Sequence, residues 1–327
     1  MNRIILGTVA LSSLLAAVPA LAADWAASPA MRSSYPTNWQ SSDANPLSYE
    51  AGVRYWYSVG SQEHNIGPYS QTNETKTSSG EVFARINDLS TRSYVEGIAG
   101  YGIAHDGSYS TNDGPDVDLP AARLGYVGAD FGWLPFGTET ASFGMVTGYQ
   151  FTKDSPDTGS TNFRTTPVAL PIGPGGTYFI RGGGDSEVND LRVHELKLGL
   201  AGRFDGGAFD ITGEAAAIPY SWIGGTYGSF ADPRNSDTFQ QTSAAQIEGN
   251  GYGASGKLMV GFHPTENLTI RVGGRASYLT GQYDATYDSV AVQDPNDDAL
   301  LSQRWIYRDN PFELIRYGAL LEVSGSF

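Results

Sequence analysis

Two stretches carry side chains of the types and spacing that chemistry needs. Asp116-Val117-Asp118 sets two carboxylates two residues apart, and His105 precedes them in the same polar stretch. A carboxylate beside an imidazole orients it as a general base, and the pair can then activate a water for attack on a peptide bond. Asp294-Pro295-Asn296-Asp297-Asp298 gathers hard oxygen ligands of the kind that hold Ca²⁺. Its aspartates lack the ordered spacing of a calcium loop, so a solvated acidic loop is the alternative reading. His194 and Ser221 would make a hydrolytic couple only if neighbouring strands turned both to one face. The chain has no cysteine, which removes disulfides, thiolate nucleophiles and thiolate metal sites.

These residues lie between, or at the ends of, segments that alternate with a period of two. The last eleven residues show it plainly: Tyr317, Ala319, Leu321, Val323, Gly325 and Phe327 share one face, and Gly318, Glu322, Ser324 and Ser326 the other. Leu320 is the one apolar residue on the second face. Successive side chains of a strand point to opposite sides. An apolar face with an aromatic at each end, opposite a polar one, suits a strand between lipid and a polar lumen.

The same alternation marks Ser48–Val59, Gly80–Asp88, Arg92–Ala104, Ala121–Trp133, Thr140–Thr152, Arg192–Phe204, Ala208–Trp222, Glu248–Phe262 and Leu268–Tyr283. Connections are short and long by turns. The long ones are Gly60–Ser79, His105–Pro120, Lys153–Leu191, Ile223–Ile247 and Asp284–Glu313. This predicts an all-β, transmembrane, antiparallel up-and-down barrel over residues 48–327, most simply of ten strands, with long extracellular loops and short periplasmic turns. Eight or twelve strands are the counting alternatives. The last strand should close the ring against Ser48–Val59. Two aromatic girdles are expected: Trp133, Phe136, Phe204, Phe209 and Phe262 near the turns, and Tyr57, Tyr101, Tyr149, Trp222, Tyr278 and Tyr283 near the loops.

The inward faces carry Arg54, Glu96, Glu195, Lys197, Glu214, Lys257, Arg271, Arg275 and Glu322. In a bore only slightly wider than that of eight strands, side chains largely fill the interior. An ion-pair network is therefore expected, with a narrow charge-lined pore as the alternative. The formal charge of −15 argues against nucleic acid as a partner and against polybasic docking on anionic lipid.

Met1-Asn2-Arg3, an apolar run and Ala20-Leu21-Ala22 read as a cleavable secretory signal over residues 1–22. Residues 23–47, with Pro29, Pro36 and Pro46, read as an irregular periplasmic arm. Together these place the chain in the outer membrane of a Gram-negative bacterium. Its expected partners are outer-membrane lipid and lipopolysaccharide. Oligomeric state leaves no trace in the sequence.

The terminal strand resembles the C-terminal signature of bacterial outer-membrane barrels, which implies that the barrel-assembly machinery reads Tyr317, Leu321, Val323 and Phe327. Ten strands with tall outer loops resemble the omptin family of outer-membrane aspartyl-type proteases. In residues that resemblance rests on Gly144-Met145-Val146-Thr147-Gly148-Tyr149-Gln150 and on Tyr220-Ser221-Trp222. It implies an Asp-x-Asp pair on the second outer loop and an Asp-x-His pair on the fourth. Asp116-Val117-Asp118 answers the first, but Ile223–Ile247 holds Asp232 and Asp237 and no histidine. The resemblance thus carries the fold and not the activity. The expectation is a non-catalytic barrel whose acidic surface loops serve adhesion, recognition or envelope integrity. An omptin-type endopeptidase using Asp116 and Asp118 is the alternative, and a small narrow channel the third.

Overall fold

Period-two alternation, broken by turn residues at each short connection, sets ten long strands side by side. In the computed structural model, residues 46–327 are described apart from 112–115, 120, 139, 158–167, 173–175, 181–188, 228–238, 242 and 295–298. The strands are β1 (Leu47–Ile66), β2 (Tyr69–Asp88), β3 (Ser93–Thr111), β4 (Ala121–Gly137), β5 (Ala141–Asp157), β6 (Asp190–Asp205), β7 (Phe209–Tyr227), β8 (Ala245–Thr265), β9 (Leu268–Asp294) and β10 (Ala299–Ser326). Each pairs antiparallel with the next, and β10 closes on β1 with Val53 opposite Val323 and Arg54 opposite Glu322. The signal segment and residues 23–45 of the arm lie outside the described residues.

Short turns use the chemistry their sequence offers. Asp88 accepts hydrogen bonds from the Ser90 amide and the Thr91 hydroxyl at 2.9 and 2.8 Å, which stabilises the tight β2–β3 turn. Those bonds hold the Asp88 carboxyl below its usual range. Between β6 and β7, Gly207 takes φ of 82°, a region glycine enters without steric cost.

The strands run well past the expected bounds. Gly60–Ser79 is not a loop: β1 continues to Ile66, β2 begins at Tyr69, and only Gly67 and Pro68 turn between them. Asp284–Glu313 is likewise mostly hairpin, carried by β9 and β10. Above the lipid both faces can be polar, so Thr72, Thr75 and Thr77 keep the pleat and its ladder without the apolar alternation that marks a strand in sequence.

The outer face carries the apolar band. Val53, Val82, Leu198, Leu200 and Val272 all point outward and are exposed. Trp133, Phe136, Phe204, Phe209 and Phe262 ring the turn end, and Tyr57, Tyr101, Tyr149 and Tyr278 the other, all exposed. Tyr283 does not belong to that girdle. It lies five residues from outward-facing Tyr278, so its parity turns it into the lumen, where it is 1% exposed.

Two register shifts interrupt the wall. In β7 the pairing slips between Ile218 and Ser221, around Pro219, which has no amide hydrogen to give. In β3 one extra residue, Ile103, lies between the partners of Ser78 and Ser79. A bulge bends its strand and ends pairing. Accordingly β3 pairs with β4 from Ser93 only to Tyr101, and resumes against the short Val117–Asp118 segment at Ser108 and Tyr109.

Candidate functional site

Residues of parity opposite to the apolar band must face the bore, and there they form three layers. The lowest is ionic. Arg271 on β9 donates through Nη1 to Glu50 at 2.5 Å and Glu322 at 2.6 Å, and through Nη2 to Asp210 at 2.9 Å. Arg54 on β1 donates to Glu322 at 2.5 Å and Glu96 at 2.9 Å, with its guanidinium 3.8 Å above the Phe83 ring. Arg85 reaches Glu96 and Glu50, and Lys257 lies 3.3 Å from Glu214. Nearly all these groups are buried. Charges are tolerated in such a place only when paired and hydrogen-bonded, and here each has a partner.

The middle layer is mixed. Trp56, Leu124, Tyr126, Met259 and Leu320 pack together, which explains the one apolar residue on the polar face of β10. Arg275 stacks on Trp56 at 3.8 Å and donates to Glu81 at 2.6 Å, while Lys197 pairs with Asp130 at 2.7 Å. A cavity of about 110 Å³ opens between these groups and the layer above. At its upper edge Asp154 accepts from Arg316 at 2.6 Å and from Gln62 at 2.7 Å. Sequence reading put Asp154 in an outer loop. Because β5 runs on to Asp157, its parity brings it inside instead.

The top layer is apolar and aromatic. Ile66, Leu191, Val193, Ile223, Tyr227, Ile247, Tyr283 and Phe312 form one buried cluster. His64 is embedded in it, 3.7 Å from the Tyr227 ring centroid and 5.8 Å from that of Tyr283. Neither ring nitrogen of His64 has a hydrogen-bond partner. Burial pushes its pKa down to about 3, so the ring is neutral. Burial likewise raises the Tyr227 hydroxyl, to which Asn73 donates.

The candidates for catalysis stay apart. His105 faces the lumen with Nδ1 3.1 Å from the Thr77 hydroxyl. Burial holds its pKa below the ordinary histidine value, against the opposing pull of Asp154. Asp116 and Asp118 are exposed at the outer end of β3, where Asp118 sits opposite Ser108. No hydrogen bond or ion pair joins either of them to His105. His194 and Ser221 are on opposite faces. His194 packs outside against Phe151 at 4.8 Å and Trp222 at 5.1 Å, and bonds the Tyr149 hydroxyl at 2.5 Å. Ser221 is buried inside, opposite Glu195. Of the calcium candidates, Asp294 ends β9, and Asp297 and Asp298 lie outside the described residues. Among the described residues no group of three or more histidines and carboxylates could hold a metal ion.

All nine predicted lumen charges do line the bore. Eight are paired, and Glu195 has no ion pair among the described residues. Asp130 and Asp154 belong to the same network and were missed, although parity counted through each strand would have placed them; Asp210 belongs to it too and faces in, as its parity with Thr212 and Glu214 predicts. Tyr317, Leu321, Val323 and Phe327 are exposed together on the outer face of β10.

No family model and no curated protein sequence matches the chain. Among solved structures it is similar to the outer membrane protease OmpT from Escherichia coli, at 10% identity and a TM-score of 0.58, over 88% of this chain and 99% of that one. It also matches the outer membrane protein OprG from Pseudomonas aeruginosa, at 10% identity and a TM-score of 0.34, over 86% and 95% of the two chains. The translocator domain of the autotransporter NalP from Neisseria meningitidis matches at 9% identity and a TM-score of 0.34, over 89% and 91%. The first likeness carries the fold alone: the chain is an antiparallel up-and-down β-barrel whose architecture resembles that of omptin-like barrels.

Proposed function

We propose that this chain is a non-catalytic barrel of a Gram-negative outer membrane, with a closed lumen and acidic outer loops that serve adhesion, recognition or envelope integrity. One observation carries the reading: an ionic layer and an aromatic layer both cross the bore, while Asp116, Asp118 and His105 share no contact. A site for peptide hydrolysis needs its base and its orienting carboxylate within hydrogen-bond reach. A conducting pore needs a continuous wet path, and both layers oppose one. The acidic surface fits the overall charge of −15. The reading includes export by a signal over residues 1–22, assembly through the terminal strand, and lipopolysaccharide as the outer-leaflet neighbour. Calcium bridging the Asp294 region to lipopolysaccharide is part of the same proposal, and calorimetry showing no Ca²⁺ uptake would remove it.

The test is direct. Purified, folded protein should leave a basic peptide intact and give flat traces in a planar bilayer. Cleavage that disappears in Asp116→Ala/Asp118→Ala would overturn the reading in favour of an endopeptidase. Stepwise conductance would overturn it in favour of a narrow channel.

A further inference from the structure

The wall of the middle-layer cavity carries five cations and five carboxylates, but Arg275 pairs with Glu81 outside the wall, so the pairing leaves one wall carboxylate over. Each lysine and arginine in its wall is already engaged: Arg54 with Glu96, Lys197 with Asp130, Lys257 with Glu214, Arg275 with Glu81, and Arg316 with Asp154. The carboxylate that remains is Glu195. It lines the cavity, is 6% exposed, and has no hydrogen bond or ion pair among the described residues. One further wall group is an unsatisfied acceptor: Gln62 Oε1 is buried without a partner. Buried polar atoms are almost always satisfied, by protein or by a bound species, and an ammonium can donate to both the Glu195 carboxylate and an amide oxygen.

We infer that this cavity binds one small monocation, a primary ammonium carrying a short hydrocarbon body, with its head group on the Glu195 carboxylate. The positive charge follows from Glu195, the one wall carboxylate without an ion pair or hydrogen bond among the described residues. The hydrocarbon body follows from the rest of the wall, where Leu124, Val146, Leu191, Leu279 and Leu314 present apolar surface. Size follows from the volume: about 110 Å³ is less than the roughly 150 Å³ that accommodates benzene in an engineered protein cavity, so a guest of about five heavy atoms fits.

The probe is n-butylammonium chloride, titrated calorimetrically into the folded barrel in a zwitterionic detergent, with 1-butanol as the neutral match in size. Saturable uptake of about one butylammonium per chain is expected, with butanol at least tenfold weaker. Glu195→Gln should lower the butylammonium affinity at least tenfold while the barrel keeps its heat-modifiable mobility on a gel. Should that variant not fold, Ala216→Leu fills the cavity and leaves Glu195 in place, and it should also abolish uptake. Equal binding of the two probes, undiminished binding in either folded variant, or no saturable uptake by the folded wild type would each overturn the proposal.

Discussion

Replacing Arg271 by methionine tests whether the ionic layer is dry. Arg271 is shared by three carboxylates, and their fates differ when it goes. Glu322 keeps Arg54 at 2.5 Å, and Glu50 keeps the Ser324 hydroxyl at 2.7 Å and Arg85 at 3.7 Å. Asp210 is 0% exposed and, among the described residues, keeps only His263, whose Nε2 is 3.0 Å away. The change therefore orphans chiefly one buried carboxylate, and removing one partner of a buried pair costs about 3–5 kcal/mol. Urea unfolding in detergent, followed by tryptophan fluorescence and by gel mobility, should show a loss in that range for Arg271→Met. Adding Asp210→Asn removes the stranded charge and should recover about 2 kcal/mol, the signature of two residues in one network. A loss below about 1 kcal/mol is what a solvated surface pair gives, and would mean that water fills the layer and the argument for a sealed bore is wrong.

Three further outcomes follow from particular positions. His64 should make folding acid-sensitive: with its folded pKa near 3 and an unfolded value of about 6.5, the unfolded chain alone takes up the proton between them. Stability should be level above that upper value and fall by up to about 1.4 kcal/mol per unit as pH drops towards the lower one. His64→Phe should remove that slope, and identical slopes in urea titrations from pH 6 to 4 would refute it. Val53, outward between the Tyr49 and Tyr57 levels of β1 and 57% exposed, faces mid-bilayer, so Val53→Arg should cost about 2–4 kcal/mol in lipid vesicles; a neutral result would place the band elsewhere. Gly67 turns the β1–β2 hairpin at φ 59° against the Tyr307 ring, so Gly67→Val has neither the backbone region nor the space it needs. It should displace Tyr307, read as faster hydrogen exchange at the hairpin tip with the membrane half unchanged; unchanged exchange at the tip would refute it.

The strand pattern was legible in the sequence because lipid imposes it. Each outward residue between the girdles must be apolar and each inward one need not be, so Tyr317 to Phe327 and their partners could be sorted by counting in twos. The same count, carried further, assigns Tyr283 and Asp154 to the lumen. They were misread because the alternation of hydropathy stops at the membrane edge while the alternation of direction does not. Above that edge only the backbone ladder marks a strand, and in a run such as Gly60–Ser79 the side chains do not announce it.

Parity alone also says which charges enter the bore, since a strand has two faces and lipid excludes charge from one. Which charge meets which is a matter of register, tilt and closure across ten strands, and those are set jointly by the whole ring. That is why Arg271, Glu50, Asp210 and Glu322, on four different strands, could be recognised as inward residues but not as a cluster. It is also why Glu195 reads in sequence like any other lumen carboxylate. Its isolation exists only once every cation around it has found a closer partner.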